Sequence, residues 1–115
     1  MSDGYSFTAV RQGSAMLFNH HESGGEMWTG EGPREIRRYV EFGHTFIGNP
    51  AVHVSLGLID SIASSNLRTD ISAADVTKDG FTILFRTWGD SRLARIRADW
   101  LAIGPGYDPA IWALD

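Results

Sequence analysis

Apolar and polar residues alternate with a period of two through much of the chain, most clearly from Gly80 to Gly104. There Phe81, Ile83 and Phe85 share one side, with Thr82, Leu84 and Arg86 on the other. Further on, Ala94, Ile96, Ala98, Trp100 and Ala102 share a side opposite Arg95, Arg97 and Asp99. Such alternation marks strands with one buried and one solvated face. Trp88-Gly89-Asp90-Ser91 breaks the pattern with turn-forming residues, so the simplest reading of the stretch is a β-hairpin. Ala51 to Ile59 alternates as cleanly, with Val52, Val54, Leu56 and Leu58 inward and His53, Ser55 and Gly57 outward. Ser14 to Phe18, Arg38 to Phe46 and Leu67 to Ser72 read as further strands. In the second of these, Val40, Phe42 and Phe46 oppose Tyr39 and Glu41; in the third, Leu67, Thr69 and Ile71 oppose Arg68 and Asp70.

The segments between carry loop signals. Asn19 to Gly25 is polar and ends in two glycines, and Met27 to Arg34 reads as irregular and exposed. Turns are expected at Gly48-Asn49-Pro50 and Lys78-Asp79-Gly80, and a polar loop at Ser61 to Asn66. A helix over Pro33 to Val40 is the one helical alternative, since Pro33 suits a first helical turn. Short strands with turns between them and no long helical period give an all-β fold, a small antiparallel sandwich of about six strands. The tail from Pro105 to Asp115 is loop-like but carries Tyr107, Ile111, Trp112 and Leu114. So apolar a tail is expected to dock on the body or on a neighbouring protomer.

At 115 residues the chain makes a single domain, 1–115, long enough to bury a core without staples. It has no cysteine, which rules out disulfides and fits a reducing compartment without requiring one. No basic start followed by an apolar run opens the sequence, so no classical signal peptide is expected. No apolar stretch is long enough for a membrane-spanning helix, so no membrane insertion is expected. The net charge of −4 argues against nucleic acid as a partner. Arg34, Arg37 and Arg38, and Arg86, Arg92, Arg95 and Arg97, read as polar strand faces pairing with acids across the sheet or a contact between protomers.

Candidate chemistry is sparse. No Gly-x-Ser-x-Gly motif occurs, and nothing places His20, His21, His44 or His53 beside a serine and an acid. His20-His21-Glu22 resembles a metal-ligand cluster on paper, but adjacent strand residues point to opposite faces and no second cluster completes a site, so no metal or other cofactor is expected. Glycoside hydrolysis needs two carboxylates roughly 5–10 Å apart across a cleft. Glu26, Glu31, Glu35, Asp90 and Asp99 are candidates, and their spacing pairs none of them. Sugar binding without chemistry fits better. It needs an aromatic face for sugar C–H groups and charged side chains for hydroxyls. Asn66-Leu67-Arg68 offers an arginine, Trp88-Gly89-Asp90-Ser91 an aromatic and acceptors, and Trp28-Thr29-Gly30-Glu31 an acid. Scaffold roles are the competing reading: Trp88 closing the sandwich and Arg68 with Asp90 forming only a salt bridge.

The same residues carry a family likeness. Arg34 to Phe42 (REIRRYVEF), Pro50 to Asp60 (PAVHVSLGLID), Asn66-Leu67-Arg68, Val76 to Phe81 (VTKDGF), Thr87 to Ser91 (TWGDS) and Trp100 to Gly104 (WLAIG), in that order and spacing, resemble the H-type lectin family. That family includes snail agglutinins and the C-terminal domain of discoidins. The likeness covers about residues 25 to 104, leaving 105–115 as a tail. It implies an antiparallel β-sandwich assembled as a trimer or dimer of trimers. It further implies shallow sites near contacts between protomers for glycans of the galactose or N-acetylgalactosamine type, with neither metal nor catalysis. The family's sugar-contacting arginine falls on Arg68 and its tryptophan on Trp88. Asp90 and Ser91 match the Asp-Thr form of the motif, and an acid of an earlier loop falls on Glu31. Gly89 stands where members often carry histidine or alanine, and Ala94 stands near a position where some have an aromatic. Two rivals stay open: a trimeric structural or adhesion unit of a fibre or spike with a decayed sugar site, and a small glycoside hydrolase. Family members are often secreted with disulfides. This chain shows neither sign, which leaves an intracellular role, leaderless export and display on a larger particle all open.

Overall fold

A computed structural model describes residues 7–43 and 46–108. Six strands are described: β1 (Phe7–Asn19), β2 (Arg34–Glu41), β3 (Ala51–Ser61), β4 (Thr69–Ala74), β5 (Gly80–Thr87) and β6 (Leu93–Gly106). Two single-turn helices, α1 (His20–Ser23) and α2 (Glu26–Thr29), lie between β1 and β2. The strands form two antiparallel three-stranded sheets, ordered β1-β6-β3 and β2-β5-β4. The all-β sandwich expected from the alternation is therefore present.

The expected hairpin is absent. β5 is the centre of one sheet and β6 the centre of the other, so residues 88–92 cross between layers. Alternation is blind to this difference, because a sheet-changing connection and a hairpin both join two half-buried strands through a polar break. The inward faces are as predicted. Phe81, Ile83, Phe85, Ile96, Ala98 and Ala102 are all fully buried between the sheets. Phe18 meets Phe85 at 5.8 Å, and Phe42, Phe46, Phe81 and Trp100 form a second aromatic group. Gly13 admits the Trp100 indole against β1: a Cβ there would lie 2.8 Å from the ring. Fully burying one such large apolar side chain contributes about 1.5–3 kcal/mol.

Other expectations shift. β1 is far longer than Ser14 to Phe18, and its bulge between Met16 and Phe18 lets two consecutive residues, Leu17 and Phe18, be buried. β2 occupies Arg34–Glu41, which replaces the helix at Pro33 to Val40 and keeps only Arg38 to Glu41 of the strand expected over Arg38 to Phe46. Phe42 and Phe46 are buried beyond its end. In β3 a bulge between Leu56 and Leu58 changes the register, so Leu58 pairs with Arg97 instead of continuing the inward row of Val52, Val54 and Leu56. β4 starts at Thr69, which leaves Leu67 and Arg68 on the approach to it. β6 continues to Gly106, so the start of the expected tail is strand; Ile111, Trp112 and Leu114 lie outside the described residues. Asn19 to Gly25 contains the α1 turn, too short to show a helical period, closed by Gly24 at φ 68°. Met27 and Arg34, expected in an exposed segment, are both buried.

The outer strand faces carry the expected ion pairs. Glu35 meets Arg37 at 2.8 Å and Arg86 at 3.4 Å, Asp60 meets Arg95 at 2.9 Å, and Asp99 meets Arg97 at 3.3 Å. Arg38 instead donates to the Met16 carbonyl across the gap between the sheets' edges. On the outer face of the β1-β6-β3 sheet, register sets Val10, Ile103 and Ala51 in one row and Gln12, Leu101 and His53 in the next. The following row is Ser14, Asp99 and Ser55. Val10, Leu101 and Ile103 are exposed there.

Candidate functional site

The crossover from β5 to β6 meets the approach to β4 at one end of the sandwich. Thr87 and Thr69 pair across the sheet, and the Thr87 hydroxyl donates to the Arg68 carbonyl. Ser91 is 1% exposed. Its hydroxyl donates to the Asn66 carbonyl at 2.6 Å and accepts from the Arg68 N–H at 2.9 Å. Asp90 sits alongside, with the Asn66 side-chain amide 3.3 Å from its Oδ1 and the Asn66 N–H 3.5 Å from its Oδ2. Residues 66–68 and 87–91 are thus latched by the side chains of Asn66, Thr87, Asp90 and Ser91. Arg68, Asp90 and Ser91, all expected at the site, lie together here, but Ser91 is a buried latch and presents no hydroxyl to solvent.

Beneath the loop lies a residue placed by sequence on a polar strand face. Arg34 is 6% exposed. Its Nε donates to the Gly32 carbonyl at 2.9 Å, Nη1 to Glu26 at 3.2 Å and Met27 at 3.4 Å, and Nη2 to Gly89 at 3.3 Å. The Gly32 N–H reaches the same Gly89 carbonyl at 2.9 Å. A buried cation is tolerated only when its hydrogen bonds are met, and here backbone carbonyls meet them. Arg34 therefore joins α2, the 30–32 loop and the crossover loop in one hydrogen-bonded unit. No local sequence signal separates it from Arg37 and Arg38. Its role follows from the sheet end falling at residue 34, which sequence alone left unset.

Above the loop the picture reverses. Trp88 is 42% exposed and Arg68 is exposed. Gly89 adopts φ +69°, and its missing Cβ would stand 3.3 Å from Arg68 Nε, so the arginine side chain runs across the glycine. Among the described residues no carboxylate or carbonyl engages the Arg68 guanidinium, so the Arg68–Asp90 salt bridge of the competing scaffold reading is absent. Glu31 is exposed on the 30–33 loop, one residue from the Gly32 N–H that holds Gly89. The proposed contact residues therefore gather at one end, with a free cation, an exposed indole and acids nearby.

Several of the other candidates are engaged by the scaffold. His20 Nδ1 accepts the Met27 N–H at 3.1 Å, and the His21 ring meets Trp28 edge-on at 4.8 Å. His53 is exposed on β3, and His44 lies outside the described residues. Among the described residues no three His, Asp or Glu side chains gather to hold a metal. Of the five acids weighed for hydrolysis, Glu35, Asp90 and Asp99 are engaged by Arg37 and Arg86, by Asn66 and by Arg97. The Arg37 hydrogen bond, aided by that of Arg86 and by both charges, holds the Glu35 carboxyl below the usual glutamate value. Desolvation opposes this shift.

Comparison with known proteins gives the family of the domain. Residues 37–103 match the model of the H-type lectin domain, a span that includes Arg68 and Trp88–Ser91 but neither Glu31 nor Arg34. A Fuscovulum blasticum protein described as "ATP synthase subunits region ORF 7" is 50% identical over 106 residues, 92% of either chain. A discoidin-1 polypeptide of Dictyostelium discoideum is 32% identical over 75 residues, 64% of this chain and 30% of that protein. The structure of discoidin II from the same organism superposes with a TM-score of 0.74 at 23% identity, over 92% of this chain and 40% of that one. The chain spans less than half the length of these discoidins, and the structural likeness concerns the fold.

Proposed function

The chain belongs to the H-type lectin domain family, and from that premise we propose that it binds carbohydrate at the Arg68–Trp88 end without catalysis. One observation carries the reading: an exposed arginine with no protein partner among the described residues lies across a glycine beside an exposed tryptophan. A guanidinium donates strongly to sugar hydroxyls, and an indole face covers a patch of sugar C–H groups. Asp90 and Glu31 supply acceptors, and Ser91 holds the loop from below. The ligand class is galactose or N-acetylgalactosamine, as the family resemblance implies. Gly89 leaves open ring contacts that a side chain makes in some relatives. Glu35, held ionised by Arg37 and Arg86, is a poor candidate for the proton donor that hydrolysis needs.

The assembly belongs to the same proposal. A homotrimer, or a dimer of trimers, would bury the outer face of the β1-β6-β3 sheet around the threefold axis. The exposed Val10, Leu101 and Ile103 lie beside the polar row of Ser14, Asp99 and Ser55, which gives that face both apolar contact and hydrogen-bonding layers. Several shallow sites in one particle raise avidity by ~10²–10⁴ over one site. Glycan-array binding together with native mass spectrometry tests both parts. Binding to galactose- or N-acetylgalactosamine-ended glycans by a trimer or hexamer is expected. A folded oligomer that binds no glycan would instead make the chain a structural unit, and release of reducing sugar would make it a hydrolase.

A further inference from the structure

The indole of Trp88 has two flanks, and the sugar reading uses one. Thr87 pairs with Arg34 on one side and Thr69 on the other. Continuing that register by one residue sets Pro33, Trp88 and Arg68 in a row. The preceding row on the same outer face is Glu35, Arg86 and Asp70. A groove of ≈ 360 Å³ opens on the Pro33 side of Trp88, lined by Pro33, Arg34, Glu35, Arg86, Thr87 and Trp88. Its volume is at the low end of the roughly 300–1,000 Å³ typical of small-molecule sites.

We propose that this groove is a second saccharide subsite, taking the sugar unit next to the one bound at Arg68. The proposal rests on the sugar reading of the first site and extends it. Pro33 and Trp88 supply apolar walls for the C–H faces of a pyranose ring. Arg86 touches Glu35 at 3.4 Å through Nε only, which leaves its terminal N–H groups for a hydroxyl oxygen. The Glu35 carboxylate, its shorter bond being to Arg37, can accept a hydrogen bond from the hydroxyl in return. Arg86 has acids on both sides in register, Glu35 and Asp70, so the row suits a neutral hydroxylated unit and disfavours a sulfate or carboxylate. Trp88, shared by both flanks, makes the two subsites adjacent, as two linked sugar units require.

Calorimetric titration of the full chain separates this proposal from the reading beneath it. The probes are methyl galactoside, methyl N-acetylgalactosaminide and a set of di- and trisaccharides ending in the same residues. At least one extended glycan is expected to bind about five- to tenfold more tightly than its methyl glycoside, and Arg86→Ala or Glu35→Gln is expected to bring that ratio close to one. A wild-type ratio near one for every extension, with the methyl glycosides still bound, overturns the second subsite alone. A ratio kept by both variants overturns it too. Failure of the wild type to bind any probe overturns the first site and the second with it.

Discussion

Two arginines reach the Gly89 loop from opposite sides, and their surroundings give them opposite tasks. Arg34 lies beneath it, 6% exposed, with its donors taken by the carbonyls of residues 26, 27, 32 and 89. Arg68 lies above, exposed, its side chain against Gly89 and its guanidinium without a partner among the described residues. The buried arginine has used its hydrogen-bonding capacity on the fold; the exposed one holds it in reserve. A loop hydrogen-bonded from below that presents an unpartnered cation above suits a shallow binding site, because the backbone there is already held.

Breaking the lower half should have the largest effect. Arg34→Ala leaves buried carbonyls unpaired and opens a void, and is expected to destabilise the protein by about 2–4 kcal/mol in urea unfolding at fixed protein concentration. Arg34→Lys should recover little, since one ammonium cannot span carbonyls on three segments. Wild-type stability in Arg34→Ala would remove the distinction between the two arginines. The next effect sits between them. Gly89→Ala puts a side chain at φ +69° and a Cβ 3.3 Å from Arg68 Nε, so it should cost about 1–2 kcal/mol and also weaken sugar binding by displacing the arginine. A change in stability with binding untouched would detach Arg68 from the loop that it crosses.

The smallest effect concerns charge on the neighbouring row. Glu35 titrates below the usual glutamate value in the folded chain, chiefly through its bond from Arg37. A depressed folded value means that this carboxylate adds stability above its unfolded pKa of about 4.3 and loses that contribution as pH falls through the lower folded value. Both partners are solvent-exposed, so the stability change should be slight. The sharper readout is NMR titration of the Glu35 side chain, whose midpoint should rise in Arg37→Ala. No rise would assign the shift to another neighbour.

Much of this was legible in the sequence, and the limits have physical causes. Period-two alternation identified Phe81, Ile83, Phe85, Ile96, Ala98 and Ala102 as inward, because burial follows the pleat, but it missed the buried Leu84 and Leu93. It could not say which strand pairs with which, so a sheet-changing crossover read as a hairpin. Bulges at Leu17 and near Gly57 each change a face without leaving a mark in the pattern. For the site, the sequence pairs Asn66-Leu67-Arg68 with Trp88-Gly89-Asp90-Ser91, and the two segments are joined by hydrogen bonds. Ser91 and Arg34 were misread in the same way: a polar residue near a strand end looks solvated until the layer covering it is known.

Binding of the best array glycan to the wild type and to Arg68→Ala, with thermal unfolding of both at equal concentration, tests the central claim most directly. Arg68→Ala should lose about 1.5–3 kcal/mol of binding free energy, roughly ten- to a hundredfold or more in affinity, with stability within about 0.5 kcal/mol of wild type. Retained binding with a large loss of stability would make Arg68 part of the scaffold and contradict the account.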